Sequence, residues 1–186
     1  MTQRDFANLT WPEATFLQAC YDFKNGRTFF EGSLGTQTYA VATAQFQQCA
    51  EKAMKSMVLL DSTKKGGNAD SIIFDLMRHD IWTAKISHEP ELRGIRKRLL
   101  DKISPYTEQD ILELELRAPQ GNVEIINTEY PWRADKRIVV PARFFGDSEE
   151  LVEKYMGLAG AVFGDAAAYS PKFSKIKESF DEEFGK

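Results

Sequence analysis

Histidine stands only at positions 79 and 88 of this sequence and cysteine only at 20 and 49, and that scarcity closes off several chemistries. Structural zinc sites draw on paired cysteines and histidines at short spacings, a pattern missing here, so no metal and no cofactor is expected. Cys20 and Cys49 sit among helical apolar positions; two such residues make no disulfide framework and read as small buried thiols. No apolar run approaches the roughly 20 residues of a membrane span. The opening segment MTQRDFANLTWPE lacks the apolar core of a secretory signal, so the expected location is cytoplasmic, without a membrane partner. The formal charge of −4, from 24 basic and 28 acidic residues, argues against a surface built wholly for the nucleic-acid backbone. A local basic patch remains compatible with it. Neither a fixed-period repeat nor a low-complexity tract occurs.

What is present is the composition of one folded domain. Apolar residues make up 42% and charged residues 28% of 186, both ordinary for a globular chain, so residues 1–186 are expected to form a single domain. Its clearest segment is Tyr39–Leu60, where Phe46, Cys49, Ala50, Ala53, Met54 and Met57 fall on one stripe of a 3.6-residue helix. Gln47, Gln48, Glu51, Lys52 and Lys55 take the other side. Ala40, Ala42 and Ala44 are small enough for a second helix to approach closely. Thr36 or Thr38 is placed to cap this helix, which should end near Asp61. Before it, Pro12 and Glu13 open a short helix with Phe16, Leu17, Cys20, Tyr21 and Phe23 near its apolar side, interrupted at Asn25-Gly26. After it, Ile72, Ile73, Leu76 and Met77 predict a third helix from about Asp70. Lys64-Lys65-Gly66-Gly67 lacks the order of a phosphate loop, whose lysine follows the glycines, and reads as a turn.

Residues 83–128 read as an inserted mixed segment. Leu92, Ile95, Leu99 and Ile103 form an apolar stripe, and Arg93, Arg96, Lys97, Arg98 and Lys102 supply five positive charges beside it. Glu108–Leu116, Val123–Ile126 and, further on, Arg137–Val140 alternate in ways that suit a short strand as well as a helix. Helical order resumes at 147–163, where Ser148 precedes two glutamates suited to a positive helix start. Pro171 opens a last helix carrying Phe173, Ile176, Phe180 and Phe184.

The run AQFQQCAEKAMKSMVLL resembles the second-helix signature of HEPN domains, QQxAEKxxKxxL, which follows a first helix with an A-x-x-D pattern, here Ala19-Cys20-Tyr21-Asp22. His79-Asp80-Ile81 resembles the family's His-Asp-Leu, and Glu129-Tyr130-Pro131 its Arg-Tyr-Pro. The resemblance covers roughly residues 12–81 and 129–163; the insertion is longer than the family pattern calls for. It implies an all-α, up-and-down bundle of four to five helices, often dimeric, from a class holding both metal-independent ribonucleases and non-catalytic nucleotide- or RNA-binding relatives. The ribonucleases carry an Arg, four to six residues, then a His near the last core helix. This chain has no such pair and no histidine after position 88, so the usual proton carrier near neutral pH is missing.

The expected function is therefore that of a non-catalytic binding module for RNA or a nucleotide. Two alternatives stand beside it: a metal-independent ribonuclease with a non-standard site, and a protein-interaction or dimerisation module. Lys52, Lys55, Arg78, His79 and Arg133 are the candidate ligand contacts, and Arg93, Arg96, Lys97 and Arg98 a candidate phosphate patch. Each has a structural counterpart. Glu51 and Lys55 make an ordinary i,i+4 pair, Arg78-His79-Asp80 a hydrogen-bonding helix end, and the basic run a solvated face diluted by Glu89, Glu91 and Asp101. Tyr130, Trp132 and Arg133 suit either base stacking or anchoring of a loop.

Overall fold

A computed structural model of the chain describes residues 8–32, 38–76, 89–115, 132–134, 137–139 and 149–185. It is an all-α bundle, with helices α1 (Trp11–Glu31), α2 (Tyr39–Lys64), α3 (Ala69–Leu76), α4 (Glu89–Lys102), α5 (Glu108–Glu115), α6 (Glu149–Tyr169) and α7 (Pro171–Phe184). A three-residue hairpin, β1 (Trp132–Ala134) paired antiparallel with β2 (Arg137–Val139), precedes α6. The alternation therefore resolves as strand over Arg137–Val139 and as helix over Glu108–Glu115, while Val123–Ile126 lies outside the described residues, as do Thr36 and Ser148.

Local chemistry starts these helices. Thr10 donates its backbone N–H to Glu13 at 2.7 Å and its hydroxyl at 2.6 Å, satisfying groups the first turn leaves open. Lys172 of α7 holds the same carboxylate at 2.7 Å, so one side chain ties together the starts of two helices. Ser170 caps α7 by accepting from the N–H of Lys172 at 3.2 Å, with Pro171 behind it. Thr38 does stand at the N-cap of α2, but its hydroxyl donates to the carbonyl of Phe29 at 2.6 Å instead. The Lys-Lys-Gly-Gly turn closes α2: Gly66 adopts a φ of 86° while the N–H groups of Gly66 and Gly67 reach the carbonyls of Thr63 and Ser62, a Schellman closure that favours glycine.

Side-chain pairs fix the directions. Phe30 meets Tyr39 and Phe23 meets Phe46, so α1 and α2 are antiparallel. Tyr39 lies beside Glu149 and Asp61 beside Tyr169, so α2 and α6 run parallel, and the chain between them crosses back along the bundle. Tyr21 meets Phe180, and Phe16 meets Phe173, placing α7 alongside α1. The expected stripe of α2 is buried from Phe46 to Met57, as are Leu92, Ile95, Leu99 and Ile103 of α4. All belong to one hydrophobic cluster with Phe16, Tyr155 and Phe173 at its centre.

Three expectations are corrected. The first helix continues through Asn25-Gly26 to Glu31, because Gly26 is buried at the α1–α2 contact: a Cβ there would stand 2.5 Å from the Phe46 ring. Close packing, not a break, explains this glycine. The helix expected at 147–163 runs on to Tyr169, carried past Gly164 by the strong helix formers Ala166, Ala167 and Ala168. The polar side of α2 is not all solvent-facing either. Gln47 and Lys55 are buried; α5 lays Ile111 and Leu114 beside Gln47, Ala50, Glu51 and Met54, and Lys55 pairs with Glu51.

The two glycine environments give opposite mutational signs. Gly26→Ala should destabilise the fold by about 1–3 kcal/mol through overpacking, whereas Gly164→Ala, whose Cβ meets nothing within 4 Å, should stabilise it by up to about 1 kcal/mol; urea melts of the two variants check this. Acid should also weaken the bundle. The hydrogen bond from Lys154, and then that from Thr107, lowers the Asp110 carboxyl from 3.8 to about 2. A depressed folded-state value means stability present above the unfolded value and lost as pH falls through the folded one. Melts between pH 4 and 2 should lose about 1 kcal/mol from this group after solvent screening, and Lys154→Ala should flatten that slope.

Candidate functional site

The two segments that carry the family resemblance meet at the α1–α2 contact. Asp22, 7% exposed in its side chain, accepts from Lys52 at 2.6 Å and from Gln18 at 2.9 Å. One turn along α2, Lys55 pairs with Glu51, which also accepts from Gln47 at 2.7 Å. Lys52 and Lys55 are thus held by carboxylates inside the bundle, and Lys55 is buried. Lys52 joins α1 to α2, whereas Lys55 and Glu51 pair within α2. Arg78 and His79 lie outside the described residues, and of Arg133 only the backbone, in β1, is described.

The α4 cations divide. Arg98 makes a two-pronged contact to Asp165 of α6 at 2.9 and 2.7 Å and lies 4.9 Å from the centre of the Tyr169 ring. Tyr169 in turn donates to Asp61 at 2.6 Å, and burial, then this bond, pushes its hydroxyl well above the usual tyrosine range. Arg98 is therefore the clamp that docks α4. Arg93 and Lys97 are exposed and Arg96 half-buried, leaving a narrower basic face than the sequence implies.

A larger feature lies elsewhere. A cleft of about 360 Å³ opens between α1, α6 and α7, within the usual size range of small-molecule sites. Phe23, Phe163, Phe180 and Phe184 give it aromatic walls, Gly160 and Gly164 expose the backbone of α6, and Lys24, Arg27 and Lys177 stand along it with Glu31 and Asp181. The aromatic groups are braced: Phe23 stacks on Phe163 at 5.5 Å, and Phe180 lies 4.8 Å from Phe184. The Phe23 ring lies over Gly160, where a Cβ would meet it at 3.4 Å, an ordinary van der Waals contact.

The cations are held in different ways. Arg27 bonds Glu31 at 2.8 Å and Lys177 bonds Asp181 at 2.5 Å, each one turn along its own helix. Lys24 reaches the carbonyl of Phe184 at 3.4 Å and lies 4.3 Å from the Phe184 ring centre; among the described residues it has no carboxylate partner. Cys20 also borders the cleft, but burial pushes its thiol up to about 12, so it is no nucleophile near neutral pH. Among the described residues no imidazole lines the cleft. Among the described residues no group of His, Cys, Asp and Glu is arranged to hold a metal ion, and no helix is long and apolar enough to cross a membrane.

Sequence reasoning did not reach this site. Lys24, Arg27 and Lys177 look like ordinary solvated positions on amphipathic helices, and their convergence depends on packing α1 against α7 from the far end of the chain. The one signal present was the pair Gly160 and Gly164 within an otherwise strong helix, since a conspicuous helical glycine often marks a close approach or an open surface.

No family model matches the chain, and neither a curated protein nor a solved structure matches it.

The α1–α2 pairing should be asymmetric on mutation. Lys52→Ala strands the buried Asp22 carboxylate and should cost about 1–3 kcal/mol, while Asp22→Ala leaves a lysine able to turn to water and should cost less. Equal losses in urea unfolding would contradict this.

Proposed function

We propose that this protein is a non-catalytic binding module for a nucleotide, taken in the α1–α6–α7 cleft. One observation carries the reading: aromatic walls and three cationic side chains border a single cleft of nucleotide scale. A base offers a flat π-face to such walls, and its phosphate offers a partner to the cations beside them. One stacked base and one charge-assisted bond supply roughly 3–6 kcal/mol, which places the dissociation constant at roughly tens of micromolar to millimolar. The resemblance to HEPN domains, whose non-catalytic members bind nucleotides or RNA, points to the same ligand chemistry.

The non-catalytic reading is supported by the sequence, which lacks the spaced Arg and His that the ribonuclease class uses; among the described residues the cleft has no imidazole, and burial keeps its Cys20 a thiol. The protein-interaction alternative has less to draw on. The apolar faces it would need, from Val152 to Phe163 and from Phe173 to Phe180, are buried within the chain itself.

The test is thermal stability with nucleoside monophosphates and short RNAs at millimolar concentration, in low and high salt. Ligand at 100 times its dissociation constant adds about 2.7 kcal/mol to the folded state, an upward shift of several degrees for a chain of this size. Gly164→Leu, which projects a side chain into the cleft from an unobstructed backbone position, should fold and lose the shift. An equal shift in that variant would move binding away from the cleft.

A further inference from the structure

Resting on that reading, we infer that the cleft selects ligands bearing a single anionic group beside a flat ring, a nucleoside monophosphate over a triphosphate, with Lys24 as the anion receptor. Arg27 and Lys177 are each already compensated by a carboxylate on the same helix, so neither needs an incoming anion. Lys24 is differently placed. Its described partners are a long contact to a carbonyl and the face of the Phe184 ring, both weak holds on an ammonium group with three donors. A phosphate oxygen would give it a charge-assisted bond without displacing a carboxylate.

The same carboxylates set the upper limit on charge. Glu31 and Asp181 border the cleft with the cations, giving three positive and two negative side chains. One phosphate monoester, of charge about −1.5 to −2 near neutral pH, meets the remaining positive charge with the least excess. Each further phosphate adds negative charge beside Glu31 and beside Asp181, whose side chain is only 21% exposed, where like charges repel more strongly than in bulk water. The ring requirement comes from the other side: Gly160 is half-buried and Gly164 exposed, so the α6 backbone leaves room beside Phe23 and Phe184 for a planar group.

Titration calorimetry of the full chain with adenosine, AMP and ATP, without added metal, tests the inference. AMP should bind at least 10-fold more tightly than ATP. Lys24→Ala should weaken AMP binding about 10-fold or more, leave adenosine binding within 2-fold, and leave the far-ultraviolet spectrum of the folded protein unchanged. ATP binding as tightly as AMP, or an AMP affinity indifferent to Lys24→Ala, would overturn the inference while leaving the cleft as a nucleotide site, provided Gly164→Leu still abolishes binding. Failure of adenosine, AMP and ATP alike would overturn the nucleotide reading and the inference together.

Discussion

The ring of Phe16 is the contact on which the arrangement depends. Fully buried on α1, it lies between Phe163 of α6 at 5.4 Å and Phe173 of α7 at 4.7 Å, within 15° of parallel to both. Helix α1 is locked to the consecutive helices α6 and α7 at the far end of the chain by a three-ring stack, each pair adding about 0.5–1.5 kcal/mol beyond its buried area. The consequence appears two turns further along α1. There Phe23 continues the stack against Phe163, but the glycines of α6 supply no side chain to fill the space toward α7. The cleft is what remains when one end of a three-helix contact is packed with rings and the other is floored with backbone.

Charge in this protein is distributed by the same logic. Several cations are committed to holding elements together: Lys52 to Asp22 across α1 and α2, Arg98 to Asp165 across α4 and α6, Lys154 to Asp110 and Glu113 across α6 and α5. Removing one partner of such a contact leaves a carboxylate with reduced compensation in a part-buried place. Lys24 is an exception along the cleft, where its hold on the Phe184 ring substitutes for an acid. A cation with no carboxylate partner among the described residues, set beside aromatic walls, is the combination on which the ligand reading stands.

Much of the fold was legible in the sequence, because amphipathic helices announce themselves by period. The α2 stripe from Phe46 to Met57, the α4 stripe from Leu92 to Ile103 and the α7 face from Phe173 to Phe180 all follow from spacing alone. What was illegible depended on partners remote in the chain. Gly26 looks like a helix breaker until Phe46 is laid against it, and Gln47 looks solvent-facing until α5 is placed beside it. The candidate ligand residues suffered from the same limit. Lys52 and Lys55 stood out through their motif, yet Lys52 is held by Asp22 across α1 and α2 and Lys55 by Glu51 within α2, while Lys24, Arg27 and Lys177 carry no motif.

The central claim is where the ligand sits, and a two-dimensional ¹⁵N–¹H NMR titration of the labelled protein with AMP tests it most directly. The account predicts saturable shifts in the amide signals of Lys24, Gly160, Gly164 and Phe184, with those of Arg93 and Lys97 on α4 unmoved. Shifts confined to α4, or none that saturate, would contradict it.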